Sequence, residues 1–367
     1  LFLTVSTGNG HNSCARAMEE YLKGQGVETF MLDVYEYISP ALGKTVSDMY
    51  LFASCKIPKI YGKFYSFEER GRGKFLSTID GFNILISKKI CEYINNMKID
   101  VVVATHLFAG QVLTHIKDEI DTINVGIVTD YTIHPHWENT SLDYYVTADE
   151  ALTRQGVLRG IPAQSIKAFG IPINLKFAET RKKEEAKKAL GFSDAPLVFL
   201  MMGSMGYGNM MKILSEVDNG TEEYNVVVVC GNNQKALKLI NKVKFRRNVT
   251  SYGFIHNVDE LMDAADCIIT KPGGLTVTES LAKGLPMIYV DPIPGQEDRN
   301  VEFLVNNGVG IMTSRTYSIG EALSLLFSNP YRRPELCTAI KRLAKPYAAK
   351  TTGDFLIHLI LEKGEKQ

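Results

Sequence analysis

Short β-branched runs alternate with helical stretches along almost the whole chain, and the alternation restarts near residue 170. In the first half the runs are "LFLTVS" (1–6), "VETFMLDV" (27–34), "DVVVATH" (100–106), "NVGIVTD" (124–130) and "YYVTAD" (144–149). In the second they are "LVFLMMGS" (197–204), "NVVVVCGN" (225–232), "VTSYGF" (249–254), "DCIITKP" (266–272), "PMIYVD" (286–291) and "VGIMT" (309–313). Runs this continuously apolar belong to strands buried on both faces, as in parallel sheets flanked by helices. Amphipathic stretches such as "HNSCARAMEEYLKGQG" (11–26) and "KKEEAKKALG" (182–191) lie between them. The alternation predicts an α/β chain of doubly wound units.

The restart predicts two domains, as does a length of 367 residues. The boundary falls within 171–180, where "GIPINLKFAETRKKEEAKK" carries a Gly-x-Pro turn and then a charged helix. The division is residues 1–172 and 173–349, followed by a tail helix from about 353 with Phe355, Leu356, Leu359 and Ile360 on its apolar face. The chain is 45% hydrophobic, enough for a sizeable core. Its formal net charge is zero, so attraction to anions has to be local and no nucleic-acid partner is expected. The six cysteines stand singly, at 14, 55, 91, 230, 267 and 337, and read as reduced thiols of a cytosolic protein. No apolar stretch approaches the ~20 residues of a spanning helix, and no signal peptide is visible. The opening "LFLTVS" reads as a first strand with a residue or more missing before it.

Residues 41–75 break the rhythm. They hold seven Lys/Arg against three Asp/Glu, with seven aromatic residues interleaved. That mixture suits an anionic bilayer, where rings sit among headgroups and Lys or Arg meets lipid phosphate. It suits equally well an ordinary helical excursion with a solvated charged face. The residues concerned are Lys56, Lys59, Lys63, Phe64, Tyr65, Arg70 and Arg72.

In open α/β sheets ligands sit beyond the carboxyl ends of the strands. After "DCIIT", Gly273 and Gly274 allow close backbone approach, and a helix from about Leu275 directs free N–H groups and a positive dipole end outward. A diphosphate fits that end, with Thr276 adding a hydroxyl. Glu279 lies too far along to cap the helix but can accept both hydroxyls of a ribose; read alone, it is as easily a surface Glu. The next loop, "DPIPGQEDRN", offers Gln296, Glu297 and Asn300 as the donor–acceptor mixture that sugar hydroxyls need. Gly203 and Ser204 follow another strand, and the backbone at Phe254 and Ile255 follows a third, where it can read a planar base edge. The first domain opens with "STGNGHNSCA", placing His11 after a Gly-rich turn with a pKa suited to general-base work. Asp130 either orients His11, contacts substrate or caps the next segment; Thr105 and His106 are lesser candidates. His134 and His136 have the spacing of a metal pair but lack an evident third ligand. Neither G-x-S-x-G nor G-x-x-x-x-G-K-[ST] occurs, which removes serine-hydrolase and P-loop readings.

"STGNGHNSCA", "ATHLFAG", "IVTDYTIHPHW", "FGIPI", "GFIHNVDELM" and "KPGGLTVTESLAKGLPMI…PGQEDRN" together resemble the glycosyltransferases that make glycosyldiacylglycerols. These are the monogalactosyldiacylglycerol synthases and the processive diacylglycerol glucosyltransferases, with the peptidoglycan lipid-carrier N-acetylglucosaminyltransferase more distant. The likeness runs in order over nearly the whole chain. It implies a GT-B fold of two Rossmann-like domains facing a cleft, with the last helix (about 350–367) crossing back to the first domain. It also implies a UDP-sugar co-substrate on the second domain, a diacylglycerol-type lipid on the first, inversion at the anomeric carbon, and no cofactor or essential metal. Carried over by position, Glu279 is the ribose carboxylate. Gly273, Gly274, Leu275 and Thr276 cradle the diphosphate, Phe254 and Ile255 flank the uracil, and Gln296, Glu297 and Asn300 meet the hexose. His11 is the base or acceptor contact. Relatives commonly read G-x-P-[IV]-R at the linker; here Asn174 stands in place of the Arg, with Lys176 two residues on, and Asn9 departs from an all-glycine turn.

The expected activity is therefore transfer of glucose from UDP-glucose to a lipid hydroxyl by a cytoplasmic enzyme held peripherally on the inner face of the membrane. A UDP-sugar 2-epimerase shares the donor half-site but has no use for a lipid-facing segment, and a UDP-sugar sensor without turnover is the non-enzymatic alternative.

Overall fold

The computed structural model describes residues 1–6, 9–56, 77–206 and 208–365. Two compact units result: 1–175 with 294–296 and 347–367, and 176–293 with 297–346.

The first unit is built on β1 (Phe2–Thr4), β2 (Met31–Asp33), β3 (Val101–Ala104), β4 (Ile123–Ile127), β5 (Tyr144–Val146) and β6 (Ile166–Lys167). They form one sheet in the order β2-β1-β3-β4-β5-β6, every pair parallel. β6 was not expected from sequence; two residues at a sheet edge carry no periodicity to read. The second unit holds β7 (Leu197–Met201), β8 (Asn225–Val229), β9 (Val249–Tyr252), β10 (Cys267–Thr270), β11 (Met287–Tyr289) and β12 (Gly310–Met312). Their order is β12-β11-β10-β7-β8-β9, again all parallel. Both sheets are doubly wound. The strand order reverses between β1 and β3 in one and between β7 and β10 in the other, so each unit has one switch point at which a ligand crevice is expected.

Burial follows the strand pattern. β3, β7 and β10 are buried at every residue, as strands covered by helices on both faces must be. At Gly310 an added Cβ would stand 2.3 Å from the Tyr289 ring, itself fully buried, so only glycine fits there. The tail helix, Ala348–Gly364, begins five residues before the expected start. Thr-Thr-Gly is a poor helix former, but here Thr352 and Gly353 are buried, and a Cβ at 353 would meet the Tyr21 ring at 2.3 Å. Tyr21 in the Asn9–Gly24 helix hydrogen-bonds Asp354, and Phe355 packs edge-on against Tyr144 and Phe169. Tertiary packing thus overrides local propensity.

At the amino ends of the second sheet, Asp266 is buried among three cations. Its carboxylate lies 2.8 Å from Lys183, 2.9 Å from Lys187 and 2.7 Å from Arg333, and accepts from the Leu197 N–H at 2.9 Å. Burial alone would raise its pKa, but these partners hold the carboxyl well below the usual range. A depressed carboxyl stabilises the fold above its unfolded pKa and loses that contribution as pH falls. Asp266→Ala leaves the buried Lys187 without its partner and is expected to cost about 3–5 kcal/mol, read by urea unfolding at neutral pH. The difference from wild type should shrink in acid; an unchanged midpoint would show the cluster to be inert.

Candidate functional site

Three strand ends of the first sheet converge on one imidazole. His11 is the third residue of the Asn9–Gly24 helix after β1. Its Nδ1 lies 2.8 Å from the Thr105 carbonyl, after β3, and 3.1 Å from Thr129 Oγ1, after β4. A carbonyl can only accept, so Nδ1 carries the proton and Nε2 the lone pair. Burial lowers the His11 pKa, with the Asp130 charge and the Thr105 hydrogen bond pulling it back up. The ring is therefore neutral near pH 7, the form a base requires. Its orienting acceptor is the Thr105 carbonyl, while Asp130 reaches it through charge.

His106 packs edge-on against His11 with centroids 4.5 Å apart. It caps the Leu107–His115 helix, its Nδ1 accepting from the Phe108 N–H at 3.1 Å. Burial and its neighbours His11 and His134 keep it neutral. His134 accepts from the His136 N–H at 3.1 Å, and burial pushes its pKa down to about 3. Among the described residues, no group of three or more His, Cys, Asp or Glu is placed to hold a metal ion. Thr129 escaped the sequence reading, because nothing in "IVTDY" distinguishes it from its neighbours.

In the second unit the loops after β7 and β10 flank the switch point. After β10, Gly273 is the N-cap of the Gly274–Ala282 helix, and as a glycine it contributes no side-chain cap. The first-turn N–H groups thus retain their bonding capacity for an anion. Glu279 lies half-buried in this helix, and burial pushes its pKa up to about 8, against the attraction of Lys176 and with the repulsion of Asp259.

Gln296, Glu297 and Asn300, expected in a loop, instead lie in the Gln296–Asn306 helix. Gln296 opens it and is grouped with the first unit. Glu297 is buried; one oxygen faces Lys271 Nζ at 3.4 Å and the other accepts from the Ile293 N–H at 2.7 Å. Asn300, fully buried, donates to the Pro272 carbonyl at 3.0 Å. Both therefore brace the turn that leads to Gly273.

After β7, Gly203 and Gly206 have φ of 72° and 62°. A Cβ at Gly206 would stand 2.0 Å from the Cys230 carbonyl, and one at Gly231 2.1 Å from that of Ser204. The Asn232 N–H donates to Ser204 O at 3.0 Å. Glycine here lets two strand-end loops touch. After β9, Phe254 is 52% exposed and packs edge-on against His256. Of the lipid-facing candidates, Lys56 ends the Pro40–Lys56 helix with its side chain undescribed. Lys59, Lys63, Phe64, Tyr65, Arg70 and Arg72 lie outside the described residues.

Residues 11–173 match the family described as monogalactosyldiacylglycerol (MGDG) synthase, and residues 197–348 match the glycosyltransferase family 28 C-terminal domain. The two matches make the chain similar, half by half, to the glycosyldiacylglycerol-forming glycosyltransferases. Within that family, a processive diacylglycerol beta-glucosyltransferase of Bacillus pumilus is 28% identical over 360 residues, 96% of this chain and 92% of the relative. Two solved structures share the fold. MurG of Acinetobacter baumannii has a TM-score of 0.64 at 16% identity over 96% of this chain and 97% of its own. The calicheamicin glycosyltransferase CalG4 has a TM-score of 0.63 at 14% identity over 98% of each chain. The fold of this glycosyltransferase is GT-B.

Proposed function

We propose that this chain transfers glucose from UDP-glucose to the free hydroxyl of a diacylglycerol-type lipid, with inversion. The observation that carries the reading is the His11 imidazole, neutral, with Nδ1 tied to a carbonyl and Nε2 holding the lone pair. His11 Nε2 takes the acceptor's proton as its oxygen forms a bond to the anomeric carbon. The bond from that carbon to the UDP oxygen breaks, and the electron pair leaves with UDP. Asp130, charged and near the ring, stabilises the imidazolium that forms. The uncapped helix end at Gly273, Gly274, Leu275 and Thr276 takes the diphosphate and offsets its growing charge.

On the same reading Glu279 accepts from the ribose hydroxyls. Phe254 and Ile255 flank the uracil, with the Gly203–Ser204 loop beside the neighbouring strand end. The hexose falls to Gln296, Glu297 and Asn300, and the bonds of Glu297 and Asn300 to Ile293 and Pro272 hold that edge in shape. A relative named for diacylglycerol glucosylation supports the choice of sugar and lipid. Among the described residues no helix is long and apolar enough to cross a membrane. The reading places the enzyme peripherally on an anionic inner leaflet through the basic, aromatic segment at 41–75, an assignment resting on composition.

The test is thin-layer chromatography of lipid products from radiolabelled UDP-glucose and diacylglycerol in anionic vesicles, which should show a β-glucosyl lipid. A new UDP-sugar isomer formed without lipid would instead make it an epimerase, and tight donor binding with no product would make it a sensor. Because a helix end serves the leaving group, EDTA is expected to leave turnover unchanged. Loss of activity in chelator, restored by a divalent cation, would overturn that part.

A further inference from the structure

We propose that Lys176 is a positioning residue for the donor nucleotide, holding the loop after β9 in the shape that meets the base. This rests on the donor-site reading above, in which Lys176 stood only as the cation two residues after Asn174.

Lys176 Nζ donates to the His256 carbonyl at 2.5 Å and stands 2.7 Å from Asp259 Oδ1. These two partners straddle the turn at Asn257–Val258, where the loop carrying Phe254 and Ile255 enters the Val258–Ala264 helix. One ammonium thus grips both sides of that turn. The Phe254 ring packs edge-on against the ring of His256, the residue whose carbonyl Lys176 holds, with centroids 5.1 Å apart. A shift of that carbonyl therefore carries the exposed aromatic with it.

The neighbouring segment is fastened in the same direction. Arg181 pairs with Glu260 at 3.1 Å, and Lys283 joins Asp263 at 2.9 Å and also donates to the Glu179 carbonyl. Lys176 is the anchor that reaches the base-side loop itself. It also lies close enough to Glu279 to draw that carboxyl's pKa down against burial, so one side chain acts on both the base-side loop and the ribose carboxylate. Asn174, two residues earlier, turns its amide to Glu20 at 2.5 Å.

Lys176 is 39% exposed and Asp259 17%. A pair this exposed adds little to global stability, which separates a positioning role from a structural one. In Lys176→Met, calorimetry should show UDP affinity falling about tenfold, the scale of one charge-assisted hydrogen bond. ADP affinity should fall less, narrowing the preference for uracil. KM for UDP-glucose should rise by more than kcat falls, and the melting temperature should barely move. Lys176→Arg should recover most of the affinity. Should Lys176→Met not fold, Asp259→Asn releases the same grip from the other side and is expected to weaken UDP in the same way.

Unchanged UDP affinity and unchanged base preference in a folded Lys176→Met protein would overturn the proposal. Glu279→Ala separates this failure from that of the donor-site reading. If it too leaves UDP affinity intact, the nucleotide binds elsewhere; if it alone weakens UDP, the site stands and Lys176 has no part in it.

Discussion

His11→Ala is expected to lower glucosyl transfer by roughly a hundred- to ten-thousandfold, the usual weight of a positioned general base, while UDP affinity stays at the wild-type value. The split follows from where the residue sits. His11 belongs to the first unit, whereas the proposed diphosphate, ribose and base contacts belong to the second. Transfer is read from radiolabelled lipid and affinity from calorimetry. The pH dependence carries the same information. Burial lowers the His11 pKa, so a base there is already unprotonated at pH values where free histidine would be half charged. The limb of kcat/KM on which activity rises with pH should therefore lie below the ordinary value of 6.5. Thr129→Val should change turnover much less than His11→Ala, since the Thr105 carbonyl still fixes the tautomer. Normal turnover in His11→Ala would remove the base from the mechanism.

The parts of this fold legible in the sequence are those written in long apolar runs. Eleven strands announced themselves, most because β-branched residues buried on both faces leave an uninterrupted signature; β2 and β9 are only partly buried. β6 did not, being two residues long and at an edge. The helix starting at Gln296 was hidden by Pro292, Pro294 and Gly295 before it, which read as a stiff loop continuing through the polar triplet. The proposed site residues stood out where a Gly-rich turn follows a strand, as at His11 and Gly273. What sequence could not give was the partner of each side chain. The Thr105 carbonyl that orients His11 lies 94 positions away, and the tie from Asn300 to the Pro272 carbonyl spans 28. Both depend on strand order, which periodicity does not encode. The glycines at 203–208 showed the same limit. Their composition fits a phosphate loop, yet Gly206 is required where two backbone turns meet.

Glu279→Ala is expected to weaken UDP-glucose about a hundredfold, from the loss of two hydrogen bonds to a charged acceptor. Protonation makes this residue a sharper probe than truncation alone. Burial raises its carboxyl from 4.5 to about 8, so in the free protein it is largely protonated at neutral pH. Two ribose hydroxyls are donors and favour the carboxylate. Binding must then release a proton, and affinity should climb toward tenfold per pH unit below about pH 8 and level off above it. UDP-glucose is the ligand for this measurement, because UDP has a terminal phosphate that titrates in the same range. Calorimetry in two buffers of different ionisation enthalpy counts the proton directly. The empty protein offers an independent check. A raised carboxyl pKa means the folded state holds its proton longer than the unfolded chain, so Glu279 costs nothing below pH 4.5 and its cost grows until about pH 8. Glu279→Gln, which cannot ionise, should therefore melt higher than wild type at alkaline pH, with the gain fading toward pH 5. Equal melting temperatures at every pH would mean the carboxyl titrates normally. UDP-glucose affinity that is flat across the same range would remove it from the ribose.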